Sequence, residues 1–203
     1  MRQKPKTRSG FTLIEVMITL AIGLILTIFL VQTFSQSKSA MDLGTAKTSM
    51  QQATRIAIDR MTPLVVSAAP IGGVDAIIRP AIGATDDRIL FNTTEDFLDP
   101  AYNLMDPFNY GSASAHTYAI THDAANRALI LQKWDLTTDT ADASVDPRRL
   151  AKEITGFETF GLFSNSVEVR VTATEAVRDA TRRTEDKSFT MTTVLQVPTL
   201  SAL

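Results

Sequence analysis

The feature that most constrains this chain is an uninterrupted apolar run near its amino terminus. Residues 11–31 read FTLIEVMITLAIGLILTIFLV and contain one charged residue, Glu15. About 20 consecutive apolar residues are enough to cross the hydrocarbon core of a membrane as an α-helix. The run is therefore predicted to be a transmembrane helix, and the rest of the chain must fold as an attachment to it.

The charges in front of this run predict its orientation. Arg2, Lys4, Lys6 and Arg8 all precede Gly10, with no acidic residue among them. Basic residues beside a membrane-spanning helix stay on the cytoplasmic side. The amino terminus is therefore expected in the cytoplasm, and the large part of the chain is expected to be exported.

An ordinary secretory signal peptide is the alternative to a permanent anchor. Such a peptide has an apolar region of about 7–15 residues followed by a cleavage site of small residues. The run here is longer than that, although Ser37, Ser39 and Ala40 form a weak candidate site. This alternative stays open, but the length of the run favours the transmembrane helix.

Glu15 is the informative residue of the run. A carboxylate inside a spanning helix costs about 2.5–3.5 kcal/mol on insertion scales and is kept mainly where it has a partner. If the chain were cut before Phe11, the new α-amino group would be a cation near the depth of Glu15. A helix cannot easily pair its own terminus with that side chain, but an axially staggered neighbour can supply the amine. The pattern therefore predicts assembly of several copies or relatives.

The string GFTLIE at residues 10–15 resembles the type III signal of type IV pilins and type II secretion pseudopilins. The resemblance implies a leader of residues 1–10, cut after Gly10 by an aspartyl prepilin peptidase, and methylation of the new amino-terminal residue, Phe11. It implies that Glu15 serves subunit recruitment and charge neutralisation. The implied partners are the prepilin peptidase, other pilin or pseudopilin subunits, an inner-membrane assembly platform and membrane lipid.

The same resemblance implies a location in the cell, and the chain departs from the family pattern at one position. A single-pass protein of this family has its amino terminus in the cytoplasm and its head in the periplasm, and later enters a pilus or pseudopilus. Major pilins commonly carry a proline about twenty residues into the mature helix, where this chain has Gln32. A melted helix at that point is therefore in doubt, although Gly23 and Gly44 each lower helix propensity by about 1 kcal/mol relative to alanine.

Beyond Val31 the chain is predicted to continue as an amphipathic helix. Apolar residues recur at spacings of three and four, which places them on one helix face that packs against a globular head: Leu43, Ala46, Met50, Ala53, Ala57, Met61 and Leu64. Pro63 is predicted to end this helix. A helix over residues 11–62 would be about 78 Å long at 1.5 Å per residue.

After Pro63 the pattern changes to short β-type runs, so residues 63–203 are predicted to form a β-rich periplasmic head. The predicted strands are 76–78, 88–91, 117–121, 127–134, 157–163, 167–174 and 188–197, with 117–121 and 127–134 joined as a hairpin. The fold class is therefore α+β, a long amino-terminal transmembrane and amphipathic helix packed on an antiparallel sheet, as in the pilin fold. The order of these head segments resembles the PilW-like minor pilins and, more loosely, the J-type minor pseudopilins.

Residues for catalysis or metal binding are scarce in this chain. Cysteine is absent, which excludes disulfides and thiolate sites. His116 and His122 have poor spacing for a metal, and one is expected to face solvent and the other to lie at a turn. Acidic clusters suggest calcium, but turn residues of this type usually bond their own backbone: Glu95, Asp96 and Asp99, then Asp135, Asp139, Asp142 and Asp146. No cofactor, metal site or enzyme activity is predicted, and the 93–114 loop is expected to carry variable surface chemistry.

The leading hypothesis is a structural subunit of a type IV pilus or type II secretion pseudopilus. Without the four basic residues of the leader, 16 basic residues face 22 acidic ones, a net charge of −6. Nucleic-acid binding is therefore not expected overall, and the local basic group Arg178, Arg182 and Arg183 is interpreted as a solvated face. Two alternatives stay open: a competence-type subunit that captures DNA or a surface, and a secreted enzyme or lectin on an uncleaved anchor.

Overall fold

The computed structural model describes residues 11–98, 116–178 and 183–198. One long helix, α1 (Leu13–Val66), packs against antiparallel β-sheets, which confirms the predicted α+β class. Ten strands lie within the described residues: β1 (Ile77–Arg79), β2 (Thr85–Asp86), β3 (Arg88–Thr93), β4 (His116–Asp123), β5 (Ala128–Asp135), β6 (Thr140–Ala141), β7 (Arg148–Lys152), β8 (Ile154–Phe163), β9 (Ser166–Arg178) and β10 (Thr184–Gln196).

Helix α1 is continuous over its 54 residues, or about 81 Å at 1.5 Å per residue. It passes through Gln32 and through both glycines without a break. The prediction that Pro63 ends the helix is wrong, because α1 runs to Val66 with Pro63 inside it. A proline removes one hydrogen bond of the helix. The next two residues, Leu64 and Val65, are fully buried, and burying such a side chain contributes about 1.5–3 kcal/mol.

The carboxyl-terminal half of α1 contributes the predicted apolar stripe to the core of the head. Burial begins at Ala46 and continues along one face to Leu64 and Val65. Six of the seven predicted stripe residues are buried, and the seventh, Leu43, is 46% exposed. Leu43 lies almost one turn before the buried part of the stripe, so the periodicity of the sequence extends further than the head does.

The first sheet has the order β1-β3-β4-β5-β6, and β7 also pairs with β5. All of its pairs are antiparallel. The predicted hairpin is confirmed as β4 and β5, joined by a turn at residues 124–127. Ile89, Phe91, Ile120, Leu129 and Leu131 of this sheet are fully buried in the core.

The second sheet has the order β10-β9-β8-β2 and contains the longest strands. Val167, Val169 and Val171 alternate along β9 and are fully buried, as their spacing predicted. Helix α1 contacts β9 and β10 of this sheet and β7 of the first one. Strands β8 and β10 begin, and β9 ends, several residues beyond their predicted limits. The β9–β10 ladder pairs without a register shift from Thr184 to Gln196, and the pairing of β8 with β9 already starts at Ile154.

Three strands were not predicted: β2, β6 and β7. The first two have only two residues each. Strand β7 reads RRLAK. Three of its five residues are charged, so the apolar pair Leu150 and Ala151 gives no strand pattern in the sequence. Both members of that pair are buried, and a register shift in the pairing with β5 lies between the partners of Ala151 and Arg149. A bulge of this kind breaks the alternation by which a strand is recognised in a sequence.

Strand β8 connects the two sheets. The Thr159 hydroxyl lies 3.1 and 3.0 Å from the carbonyl oxygens of Asp86 and Arg88. At the end of β8, Gly161 accepts a 2.7 Å hydrogen bond from the Gly83 N–H and donates a 3.0 Å bond to the Ala84 carbonyl. The segment before β2 is therefore held directly on the backbone of β8, and a glycine makes this close approach possible.

The residues after β3 are anchored to the first sheet by a buried tyrosine. The Tyr118 hydroxyl donates a 2.6 Å hydrogen bond to Asp96, and the Tyr118 ring lies 5.5 Å from the Phe97 ring. Burial alone would raise the pKa of the Asp96 carboxyl. The hydrogen bond from the Tyr118 hydroxyl, together with the Leu98 N–H and the Lys133 charge among further groups, outweighs burial, so the pKa of Asp96 is lowered.

Replacement of Gly161 should destabilise the head. A Cβ atom at this position would lie 2.2 Å from the Ala81 carbonyl oxygen, and backbone atoms cannot move away cheaply. We expect Gly161→Ala to lower the free energy of unfolding by roughly 1–3 kcal/mol. The measurement is denaturation of the full chain in detergent, followed by the fluorescence of Trp134, the single tryptophan.

Gly44→Ala is the matched control for this substitution. Gly44 is exposed on α1, and nothing lies within 4 Å of a Cβ built there. The control should be neutral or stabilising by up to about 1 kcal/mol. Equal stability of Gly161→Ala and the wild type would contradict the close approach at β8.

The Asp96–Tyr118 bond should make stability depend on pH. The pKa of Asp96 is lowered by folding, so its contribution is present above the unfolded value of about 3.9 and is lost as the pH falls through the folded value. Asp96→Asn should therefore be less stable than the wild type at neutral pH, and the difference should shrink below about pH 4. Denaturation at several pH values measures it, with the exposed Asp146→Asn as control; a pH-independent difference would argue against the lowered pKa.

Candidate assembly site at the start of the helix

Helix α1 begins with a capping box made by Thr12 and Glu15. Thr12 is the N-cap residue, with φ −76° and ψ 149°. The Glu15 N–H donates to the Thr12 hydroxyl oxygen at 3.4 Å, and the Glu15 carboxylate accepts from the Thr12 N–H at 3.0 Å and from its hydroxyl at 3.1 Å. These bonds satisfy backbone donors that a helix start leaves unpaired. A carboxylate in the first turn is also stabilised by the helix dipole.

The surface of α1 around and beyond this site is apolar and exposed. Every residue from 11 to 38 is exposed, including Phe11 at 86% and Phe34 at 76%. Soluble monomers rarely expose apolar patches larger than a few hundred Å². Among the described helices, α1 is long and apolar enough to span a membrane. This half of the helix is therefore built for contact with lipid or with other apolar helices.

The hydroxyl groups within this half are satisfied by the helix itself. Thr19, Thr27 and Thr33 each donate to the carbonyl oxygen four residues earlier, at 2.6, 2.7 and 2.9 Å. A polar group without a partner costs several kcal/mol in hydrocarbon. These bonds therefore allow threonines within the apolar surface, and Glu15 is the one charged residue of the run at residues 11–31.

Glu15 keeps an uncompensated charge in this arrangement. Its Oε2 atom accepts the two bonds from Thr12, which are bonds from neutral donors. Among the described residues, no cation lies within ion-pair distance of the Glu15 carboxylate. The capping box thus orients the carboxylate and solvates it in part. A cation from outside the described chain would complete it.

Two of the three predicted site residues lie within the described part of the chain. Phe11 and Glu15 lie on the exposed start of α1, whereas Gly10 lies outside the described residues. The sequence reasoning did not assign a role to Thr12, although Thr12 and Glu15 follow the pattern Thr-x-x-Glu in front of an apolar run. That pattern is the sequence signature of a capping box and could have identified it.

The expectation for the two histidines is wrong. His116 is 8% exposed and His122 is half-buried, and both lie within β4 rather than at its turn. The two histidines are six positions apart in an extended strand, so their Cα atoms lie about 20 Å apart. That distance is too long for both side chains to bind one metal ion. His122 Nε2 lies 2.9 Å from the Ile154 carbonyl, so this ring donates a structural bond to β8.

Three of the acidic residues in the described turns bond nearby backbone, as predicted, whereas Asp139 pairs with Arg79 at 3.0 Å and accepts from the Trp134 ring N–H at 3.2 Å. The carboxylates of Asp96, Asp135 and Asp142 accept from the N–H groups of residues two positions later, at 3.3, 2.8 and 2.9 Å. Within residues 11–98, 116–178 and 183–198, no group of three or more His, Asp or Glu side chains is placed to hold a metal ion. Asp99 and Arg182 lie outside these ranges, and Arg183 is exposed.

Residues 5–31 match a family model described as the prokaryotic N-terminal methylation motif. The chain carries a prepilin-type amino terminus. This motif supports the type IV pilin and pseudopilin family, whose members are structural rather than enzymatic. No curated protein and no solved structure matches the chain.

The prepilin motif and the exposed half of α1 together suggest a membrane-anchored pilin. The motif implies processing by a prepilin peptidase and assembly with other pilins. The match to the family model ends at Val31 and does not include the head. The description of the head therefore depends on its own structure alone. The capping box of Thr12 and Glu15 lies inside the matched segment.

Proposed function

We propose that this chain is a minor subunit of a type IV pilus or type II secretion pseudopilus, with a structural rather than a catalytic role. Prepilin peptidase removes residues 1–10, and Phe11 is then methylated. The amino terminus starts in the cytoplasm and the head in the periplasm. Helix α1 then carries the subunit from the inner membrane into the filament, through an inner-membrane assembly platform.

One observation carries this proposal: the carboxylate of Glu15 lies on the exposed apolar half of α1, and among the described residues it accepts hydrogen bonds from Thr12 alone, whose donors are neutral. After cleavage, the amino group of Phe11 on a neighbouring subunit is a cation that can reach the same depth. Pairing of these groups removes the cost of a lone charge in hydrocarbon. It also fixes the axial stagger between neighbouring helices.

The mechanism of assembly follows from the two halves of α1. The exposed half exchanges contacts with lipid for contacts with neighbouring helices, which changes little in apolar burial. The direction of the exchange is therefore set by polar pairing at Glu15. The order of strands in the head, which resembles the PilW-like minor pilins, favours a minor position in the filament over the major one.

Substitutions at Glu15 separate its charge from its capping role. Glu15→Gln keeps an oxygen that can accept from Thr12 but loses the charge, and Glu15→Leu loses both. We expect both variants to be cleaved normally and to enter filaments at least about tenfold less than the wild type, the factor that corresponds to roughly 1.4 kcal/mol of pairing. The measurement is an immunoblot of sheared filaments against the membrane fraction.

Glu175→Gln is the matched control, because Glu175 is an exposed glutamate on β9 of the head. It should enter filaments like the wild type. Normal incorporation of Glu15→Gln together with loss of Glu15→Leu would show that capping matters and charge pairing does not. Normal incorporation of both would contradict the proposed assembly role.

Processing can be tested at Gly10. Gly10→Arg should keep the leader attached, because a long side chain at that position obstructs the peptidase, whereas wild type should begin at a methylated Phe11. The intact mass of the protein purified from cells that contain prepilin peptidase distinguishes these forms. Gly44→Arg, on the exposed face of α1, is the control and should be cleaved. A wild-type protein that retains Met1, or a Gly10→Arg protein that begins at Phe11, would argue against this processing.

A further inference from the structure

An open trough runs between the carboxyl-terminal half of α1 and strand β7. It consists of two adjoining cavities of about 510 and 380 Å³ that share Arg60, Arg149 and Leu150. We call this surface the α1–β7 trough. On the helix side it extends from Ser49 to Leu64, about 22 Å at 1.5 Å per residue. On the strand side it extends from Arg148 to Glu153.

The trough is basic although the protein is acidic overall. Arg60, Arg148, Arg149 and Lys152 line it, and in the described part of the chain no carboxylate forms an ion pair with any of the four. Two carboxylates, those of Asp59 and Glu153, also line the trough. Asp59 is paired with Arg55 at 3.7 Å. The uncompensated charge of this surface is therefore positive.

The floor and one wall of the trough suit an extended peptide. The floor is apolar, formed by the buried side chains of Ala53, Leu150 and Ala151 with the 43% exposed Ile56. The wall is β7, which pairs with β5 and with no other described strand, so it has an unpaired edge. Edge strands offer a row of N–H and C=O groups to an added strand.

Arg60 connects the two walls of the trough. Its Nη1 atom donates a 2.7 Å hydrogen bond to the Leu150 carbonyl, at the register shift of β7. The guanidinium has five N–H donors in total and binds carboxylates through two parallel bonds. Donors thus remain at the middle of the trough, where the side chain is already positioned by its bond to β7.

We propose that the α1–β7 trough binds an extended acidic peptide segment of a partner protein. A span of about 22 Å holds about seven residues of extended chain. Acidic side chains of the segment pair with Arg60, Arg149 and Lys152 along the rim, and its small apolar side chains lie on the floor formed by Ala53 and Leu150. Charge complementarity determines this choice of partner, because an uncharged segment would leave the four cations uncompensated. The inference stands apart from the assembly role of Glu15, since it concerns only the head.

The test uses a synthetic heptapeptide of alternating Asp and Val, labelled with fluorescein, and the full chain in detergent micelles. Fluorescence anisotropy should show binding that weakens as salt is raised, because surface pairs are screened by salt. The same peptide with Asn in place of Asp should bind at least tenfold more weakly. The double variant Arg149→Gln, Lys152→Gln should also lose at least tenfold in affinity.

Lys47→Gln is the matched control variant. Lys47 is an exposed cation of α1, and at 100° per residue it lies on the side of the helix opposite Ser49, Ala53 and Arg60. It should bind the acidic peptide within twofold of the wild type. The melting curves of all variants should agree, because the three substituted side chains are exposed.

Three results would overturn the proposal. The first is equal binding of the Asp and Asn peptides, and the second is equal loss in the trough variant and in Lys47→Gln. The third is a short DNA duplex that displaces the peptide at an equal concentration of charge, which would make the trough a general polyanion surface. Peptide binding tests only the trough, and filament entry of the Glu15 variants tests only the assembly role. Failure of this proposal is therefore distinguishable from failure of the assembly role.

Discussion

The rest of the structure depends on one helix that lies in two environments. From Phe11 to about residue 38, every side chain of α1 is exposed, and the surface is suited to lipid or to other apolar helices. From Ala46 onward, one face is buried against β7, β9 and β10. Because the helix is continuous between these parts, the exposed half and the head are joined by helix and not by a loop. A displacement of the start of such a helix would be passed on to the head.

The start of α1 combines a local bond with a long-range requirement. Thr12 satisfies two acceptor sites of the Glu15 carboxylate, which lowers the cost of the carboxylate in an apolar setting but leaves its charge. The bonds from Thr12 are already charge-assisted because the acceptor is ionised, but they bring no opposite charge, and the attraction between two unit charges strengthens as the local dielectric falls. In the proposed assembly, a charged amine from a neighbour therefore offers Glu15 more than Thr12 can, while the capping box orients the side chain. Capping and the proposed pairing would then act in sequence rather than in opposition.

The sequence predicts well those features that follow from regular spacing. The stripe from Ala46 to Leu64, the β4–β5 hairpin and the alternating valines of β9 follow a regular period, and each is present in the structure. The apolar run of residues 11–31 is recognised by its length, and from Leu13 onward it is helical and exposed. Features that depend on a single contact were missed. The course of α1 past Pro63 depends on the burial of Leu64 and Val65, and Gly161 is required by a loop that is distant in sequence.

The same distinction applies to the sites. The string from Gly10 to Glu15 is local, so the motif could be recognised from the sequence, and even the Thr12 cap has a local signature. Strand β7 could not be recognised, because three of its five side chains are charged and its pairing with β5 contains a register shift. Since β7 was missed, the trough that it forms with α1 was missed as well.

The positive charge of the α1–β7 trough lies on the same helix as the proposed assembly site. The four cations of the trough have no ion-pair partners among the described residues, and their mutual repulsion destabilises the isolated head. An acidic partner that binds in the trough would reduce this repulsion. The trough shares α1 with the exposed apolar half, so in the proposed assembly a segment bound there would touch the same helix that carries Glu15. A contact at the head and a contact at the start of the helix would then report on the same displacement of the subunit, because α1 connects them without a break.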